Sequence, residues 1–192
     1  MKDENWQEVL RDPSLLREDI ATHLRAENAY TVDILSGTQD LQAALVAEMK
    51  GRMQEAESYP PLPHGPWSYC IRYDSGAQYP VYTRHRTGAP QDEQVLLDMN
   101  ACAATHEYFA VATATHSPDH RLFAYAEDTQ GSEIYRVRIN DIATGAAVGA
   151  PIENCSGAFV FAPDSRHLFW IWRDDHGRPA RVYRREVGSD AD

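Results

Sequence analysis

A repeat in the second half of the chain limits the folds available to it more than any other feature. His116-Ser117-Pro118-Asp119 returns as Phe161-Ala162-Pro163-Asp164, 45 residues later. One inserted residue further on, Leu122-Phe123 returns as Leu168-Phe169, Asp128 as Asp174 and Gly131 as Gly177. Ile134-Tyr135-Arg136 then matches Val182-Tyr183-Arg184. Each unit reads strand, Pro-Asp turn, strand, Gly turn, strand. Proline brings the φ that the second position of a type I turn needs, and aspartate tolerates the third. A weaker copy precedes them: Tyr69–Tyr73, Gly76, then Pro80-Val81-Tyr82-Thr83-Arg84. Repeats of roughly 40–50 residues built from short strands are the mark of propeller blades.

The strands predicted on this basis are Ser68–Tyr73, Tyr79–His85, Gln94–Leu97, Phe109–Thr115, Leu122–Glu127, Glu133–Ile139, Gly157–Phe161, Leu168–Arg173 and Ala180–Arg185. Each is a short Tyr, Val, Phe, Ile or Trp run cut by Gly, Pro, Asp or Asn. A helical turn is expected near Asn100–Ala104. The fold class is therefore mainly β with a helical N-terminal segment. It comprises the first two to three blades of a β-propeller, made of antiparallel four-stranded sheets.

Residues 1–58 have a different period. Asp12-Pro13 is a helix-start signal. Ile20, Leu24, Thr31 and Leu35 follow near helical spacing, and Ser36-Gly37 interrupts them. Leu41, Leu45 and Met49 then form an apolar stripe that stops near Gly51. In Tyr59-Pro60-Pro61-Leu62-Pro63-His64-Gly65-Pro66, four prolines exclude a helix and predict a stiff connector. The predicted organisation is 1–58 helical, 59–66 linker and 67–192 partial propeller, with blades at about 67–100, 105–152 and 155–187. A closed propeller needs at least four blades, so the chain is expected to stop short of closure.

Composition removes several function classes. With 29 acidic against 18 basic residues the net charge is −11. A nucleic-acid partner, or an anionic membrane, would have to be met with Lys and Arg that this chain lacks. Cys70, Cys102 and Cys155 are too far apart for a zinc pattern and odd in number, which fits free thiols in a reducing, cytoplasmic compartment. Neither a signal-peptide core nor a run of about 20 apolar residues occurs.

Catalytic signatures are missing as well. The sequence has no G-x-S-x-G elbow, phosphate-binding Gly-rich loop or dinucleotide fingerprint. His116 and His120 are four apart, a metal-ligand spacing on a helix. Pro118 puts them in a turn, where their rings need not face one way, so they read as turn residues. Asp174-Asp175-His176 could suggest a charge relay, but it aligns with Asp128-Thr129-Gln130 and reads as a hairpin loop. Phe159, Phe161, Phe169, Trp170 and Trp172 read as packing between blades. No catalytic, cofactor-binding or metal residue is assigned, and no cofactor is expected.

The ordered series of motifs resembles oligopeptidase B (protease II), within the prolyl oligopeptidase family of serine peptidases. It is carried by Asp3-Glu4-Asn5-Trp6-Gln7, Leu24-Arg25-Ala26-Glu27-Asn28-Ala29-Tyr30-Thr31 and Tyr69-Cys70-Ile71-Arg72-Tyr73. It continues through Tyr79–Arg84, Glu93–Asp98, Ser117-Pro118-Asp119, Ala126-Glu127-Asp128 and Gly131–Tyr135. The resemblance implies a seven-bladed propeller capping a C-terminal α/β-hydrolase domain, with the N-terminal helices packed on the hydrolase side. It further implies that the propeller admits only short peptides and that cleavage follows Lys or Arg. Under it, the Ser-Asp-His triad and the residues choosing the cleaved side chain belong to the hydrolase domain. Truncation at both ends, inactivity of this chain alone and self-association through open sheet edges are expected. A stand-alone interaction module and a prolyl-specific relative are the competing readings.

Overall fold

The computed structural model describes residues 6–189. Asp3-Glu4-Asn5, which carry part of the resemblance, lie outside them. The chain opens with α1 (Trp6–Arg11), α2 (Glu18–Leu35) and α3 (Gln39–Gly51), the last two joined by a 3₁₀ turn at Ser36–Thr38. Asp12-Pro13 does not start the long helix. The Asp12 carboxylate instead accepts from the Ser14 amide (3.0 Å) and hydroxyl (2.6 Å), closing a 3₁₀ turn over Pro13–Leu15. The helix proper begins at Glu18, where Glu18 and Asp19 place negative charge at its positive end. Neither α2 nor α3 contains a buried residue.

Eleven strands follow in the described residues, in two antiparallel ladders. The first contains β1 (Glu57–Ser58), β2 (Leu62–His64), β3 (Trp67–Tyr73), β4 (Val81–Arg86) and β5 (Ala89–Asp98). The proline-rich segment runs back along β3: Glu57 and Ser58 face Tyr73 and Arg72, and Leu62 to His64 face Tyr69 to Trp67. Pro63 is tolerated there because an edge strand need not donate from every residue. After β5, Asp98 caps the short helix α4 (Met99–Ala103) by accepting from the amides of Asn100 (2.9 Å) and Ala101 (3.3 Å).

The second ladder runs β6 (Ala110–His116), β7 (Leu122–Asp128), β8 (Tyr135–Asp141), β9 (Ile152–Phe161), β10 (His167–Arg173) and β11 (Pro179–Glu186) in sequence order. Six strands in one ladder exceed the three or four expected per sheet, and β9 is the reason. Its first residues pair with β8 and its later ones with β10. Between them Asn154 (φ 57°) and Gly157 (φ 94°) take left-handed conformations that bend the strand. The ladder doubles back on itself, so β6–β8 with the start of β9 form one layer, and the rest of β9 with β10 and β11 form the next.

Burial confirms the stacking. Successive side chains of a strand point to opposite faces, and β7 is buried on both. Ala124 and Ala126 share a core with Val137, Ile152, Phe159, Phe161, Leu168 and Trp170. Phe123 and Tyr125 share another with Leu97, Met99, Phe109 and Ile142. The middle layer is thus sandwiched between the first ladder and β9–β11, as blades are in a propeller.

Equivalent residues of the repeat do equivalent work. Asp119 accepts from the Arg121 amide and Asp164 from those of Arg166 and His167. Asp128 gathers the amides of Gln130, Gly131 and Glu133; Asp174 gathers those of His176 and Arg178. Asp174-Asp175-His176 is the β10–β11 hairpin, and the His176 ring stacks on Trp6 at 5.9 Å.

Candidate functional site

A cluster of three histidines forms where the first ladder meets the second. The β6–β7 turn supplies His116 and His120, and the end of β2 supplies His64. Ser117 organises the turn: its buried hydroxyl donates to Asp119 (2.6 Å) and accepts from the Leu122 amide (3.0 Å). That hydroxyl is spent on the turn and is no nucleophile. Pro118 follows, and His120 closes the turn with φ 63°.

Contrary to the expectation from Pro118, the turn brings the two rings together, 5.1 Å between centroids and 30° apart in plane. His64 Nδ1 lies 3.1 Å from His116 Nε2. One nitrogen from each of the three rings falls within 4.8 Å of the others. Tyr69 of β3 stacks on His116 at 3.9 Å and places its hydroxyl 2.8 Å from His120 Nδ1. His116 Nδ1 donates to the Ser117 carbonyl at 2.8 Å.

Arg84, buried to 6% exposure, ties the two ladders beneath this cluster. Its guanidinium lies over the Trp67 ring (3.8 Å) and donates to Gln94 (3.0 Å) and to the His120 carbonyl (2.6 Å). Gln94 in turn donates to the Ile142 carbonyl (2.9 Å). These partners supply what a buried cation needs. Burial lowers the proton affinity of His116, and His64 and Arg84 lower it further despite the opposing Ser117 carbonyl. Burial lowers that of His120 too, with His116, His64 and Arg84 adding to it. Both shifts favour the neutral rings. Burial raises the Tyr69 hydroxyl, keeping it protonated. Beside the cluster an apolar cleft of about 340 Å³ opens between the ladders, lined among others by Leu62, Tyr69, Tyr82, Leu96 and Phe123.

Sequence reasoning had His116 and His120 in view but not His64, Tyr69 or Arg84. The alternation of β3 and β4 shows which residues share a face, but not which turn of the next layer that face meets. A second candidate surface is the helical arm. Of its predicted stripes, Leu24, Leu35, Leu41, Leu45 and Met49 are 45–60% exposed, Thr31 is exposed and Ile20 is half-buried. An apolar stripe on a helix normally marks a packing face.

Residues 6–192 match the family described as prolyl oligopeptidase, N-terminal beta-propeller domain. The chain is 32% identical over 180 residues to dipeptidyl aminopeptidase BI of Pseudoxanthomonas mexicana, covering 86% of this chain and 25% of that protein. It is 29% identical over 181 residues to Protease 2 of Moraxella lacunata, covering 91% and 26%. Among solved structures, oligopeptidase B from Leishmania major superposes with a TM-score of 0.86 at 24% identity, over 95% of this chain and 26% of that one. Oligopeptidase B from Trypanosoma brucei, in a closed form with covalently bound antipain, gives 0.83 at 25% identity, over 94% and 26%. The chain thus spans about a quarter of the length of the curated relatives it matches.

Proposed function

Because the chain belongs to the prolyl oligopeptidase family, matching its N-terminal β-propeller domain, we propose that it serves as the substrate-filtering propeller part of a serine endopeptidase of oligopeptidase B type. That peptidase would hydrolyse short peptides after Lys or Arg. One observation carries the reading: a repeated blade stack is joined to a helical arm whose apolar stripe is covered by neither ladder. A free-standing interaction module has no use for such an arm. A catalytic α/β-hydrolase domain packed against it would bury Leu41, Leu45 and Met49 and supply the nucleophile, base and oxyanion donors that acyl transfer requires together. On this reading the chain alone is inactive, acts in the cytoplasm, and has neither nucleic acid nor membrane as partner. No helix among the described residues is long and apolar enough to cross a membrane.

The test is association in trans. The chain is co-expressed with the hydrolase part of a Protease 2-type relative, and recovery of the pair is measured with the hydrolysis of a blocked peptide carrying Arg before the scissile bond. The reading expects a pair that Leu41→Asp with Leu45→Asp disrupts. Equal recovery of the arm variant would refute it. The 32% identity to a dipeptidyl aminopeptidase favours a second reading, release of dipeptides from free N-termini. Preference for the unblocked over the blocked peptide would select it.

A further inference from the structure

We propose that His64, His116 and His120 form a binding site for a divalent cation of the zinc class, which pins the first blade to the second. The spacing of the nitrogens suits such an ion. Two imidazoles on one tetrahedral zinc, each bonded at ~2.0–2.1 Å, hold their nitrogens roughly 3.3 Å apart. The His64–His116 pair stands at 3.1 Å without any metal. The third ring reaches the same point by a small side-chain rotation, since all three nitrogens lie within 4.8 Å.

The outer contacts orient the rings as ligands. Donation from His116 Nδ1 to the Ser117 carbonyl leaves Nε2 with a bare lone pair aimed at His64. A backbone carbonyl behind a ligating imidazole is the usual support of such a site. In the tautomer that donates from His120 Nδ1 to the Tyr69 hydroxyl oxygen, 2.8 Å away, Nε2 is left with the lone pair and is the ligand. It lies against Gly65, where a β-carbon would come within 2.9 Å of it. Glycine at that place (φ 57°) lets the β2 end close over the ring.

The repeat provides an internal control for what the turn itself demands. At the equivalent turn of the following blade, Phe161 stands in place of His116 and Ser165 in place of His120. Ser165 has φ 58° against 63° for His120, so the two turns share one backbone. Histidine is therefore not needed to build it. Arg84 weighs against a cation, but its charge is turned onto the His120 carbonyl and Gln94, and Asp119 partly offsets it. The fourth position faces solvent beside the exposed His64.

Zinc chloride is titrated into the metal-free 192-residue chain under a reducing agent that does not bind metal, and cobalt(II) chloride is added in parallel. One equivalent should bind, and cobalt should show the visible bands of tetrahedral nitrogen ligation without a thiolate charge-transfer band. Zinc at 100 times its dissociation constant should raise Tm by about 5–10 °C. His64→Ala should weaken binding at least about tenfold, the cost of losing one good ligand contact. His116→Phe with His120→Ser, which copies the next blade's turn, should abolish binding while circular dichroism stays native. No saturable binding, a thiolate band, or binding that survives both variants would overturn the proposal.

Discussion

Replacing Gly157 by alanine would put a methyl group against β6 and β8 of the neighbouring layer. At φ 94° an L-residue is strained, by about 1–2 kcal/mol for a left-handed backbone. The new β-carbon would also meet Ala112 Cβ of β6 at 2.7 Å and the Tyr135 ring at 3.1 Å. Ala112 has no rotamer to swing aside, so one strand must shift, at about 1–3 kcal/mol for overpacking. The sum, about 2–5 kcal/mol, is a large share of the ~5–15 kcal/mol that holds a domain folded. Urea unfolding followed by the fluorescence of Trp170 and Trp172 reads the change. Repeating Gly157→Ala on an Ala112→Gly background should recover the steric part and leave the backbone strain, a coupling measurable by the double-mutant cycle. A Gly157→Ala protein within ~0.5 kcal/mol of the parent, or no coupling to Ala112, would refute the close stacking of blades.

Three further outcomes are expected. Asp128→Ala should cost ~2–4 kcal/mol in the same assay, because a 2%-exposed carboxylate holding three amides is lost. Asp174→Ala, at a half-buried residue whose carboxylate holds two amides, should shift the midpoint less. Cys155 is fully buried and burial pushes its thiol above the ordinary range. At about pH 8 it should carry less thiolate than a free cysteine and react with iodoacetamide only after unfolding, which peptide mass mapping checks. Sedimentation should show concentration-dependent self-association, through the helical stripe and the β11 edge, that Leu41→Asp with Leu45→Asp reduces; a strict monomer would contradict this.

Much of the fold was legible because the signals were local. Pro-Asp turns, the paired glycines Gly131 and Gly177, and the unbroken apolar run Leu122–Ala126 each state their structure within a few residues. The last falls in the predicted strand Leu122–Glu127, and the observed strand spans Leu122–Asp128. Legibility failed where pairing overrode propensity. Leu62–His64 lies among prolines that suppress a strand signal, yet β3 offers it an edge to pair with. The predicted strand starts at Gly157, but the observed one begins at Ile152 and bends through Asn154 and Gly157, one continuous strand shared by two layers. The histidine cluster was legible only in part. Its members lie 52 and 56 residues from His64 in sequence, a separation no periodicity spans.

On the function proposed above, this chain would serve a peptidase as its filter and carry no chemistry of its own. Titration with a fluorophosphonate, alongside turnover of a fluorogenic peptide with Arg before the scissile bond, tests it most directly. The account predicts no stoichiometric labelling and no turnover by the repurified 192-residue chain. Labelling of one serine, with turnover that persists through repurification and disappears when that serine becomes alanine, would contradict it.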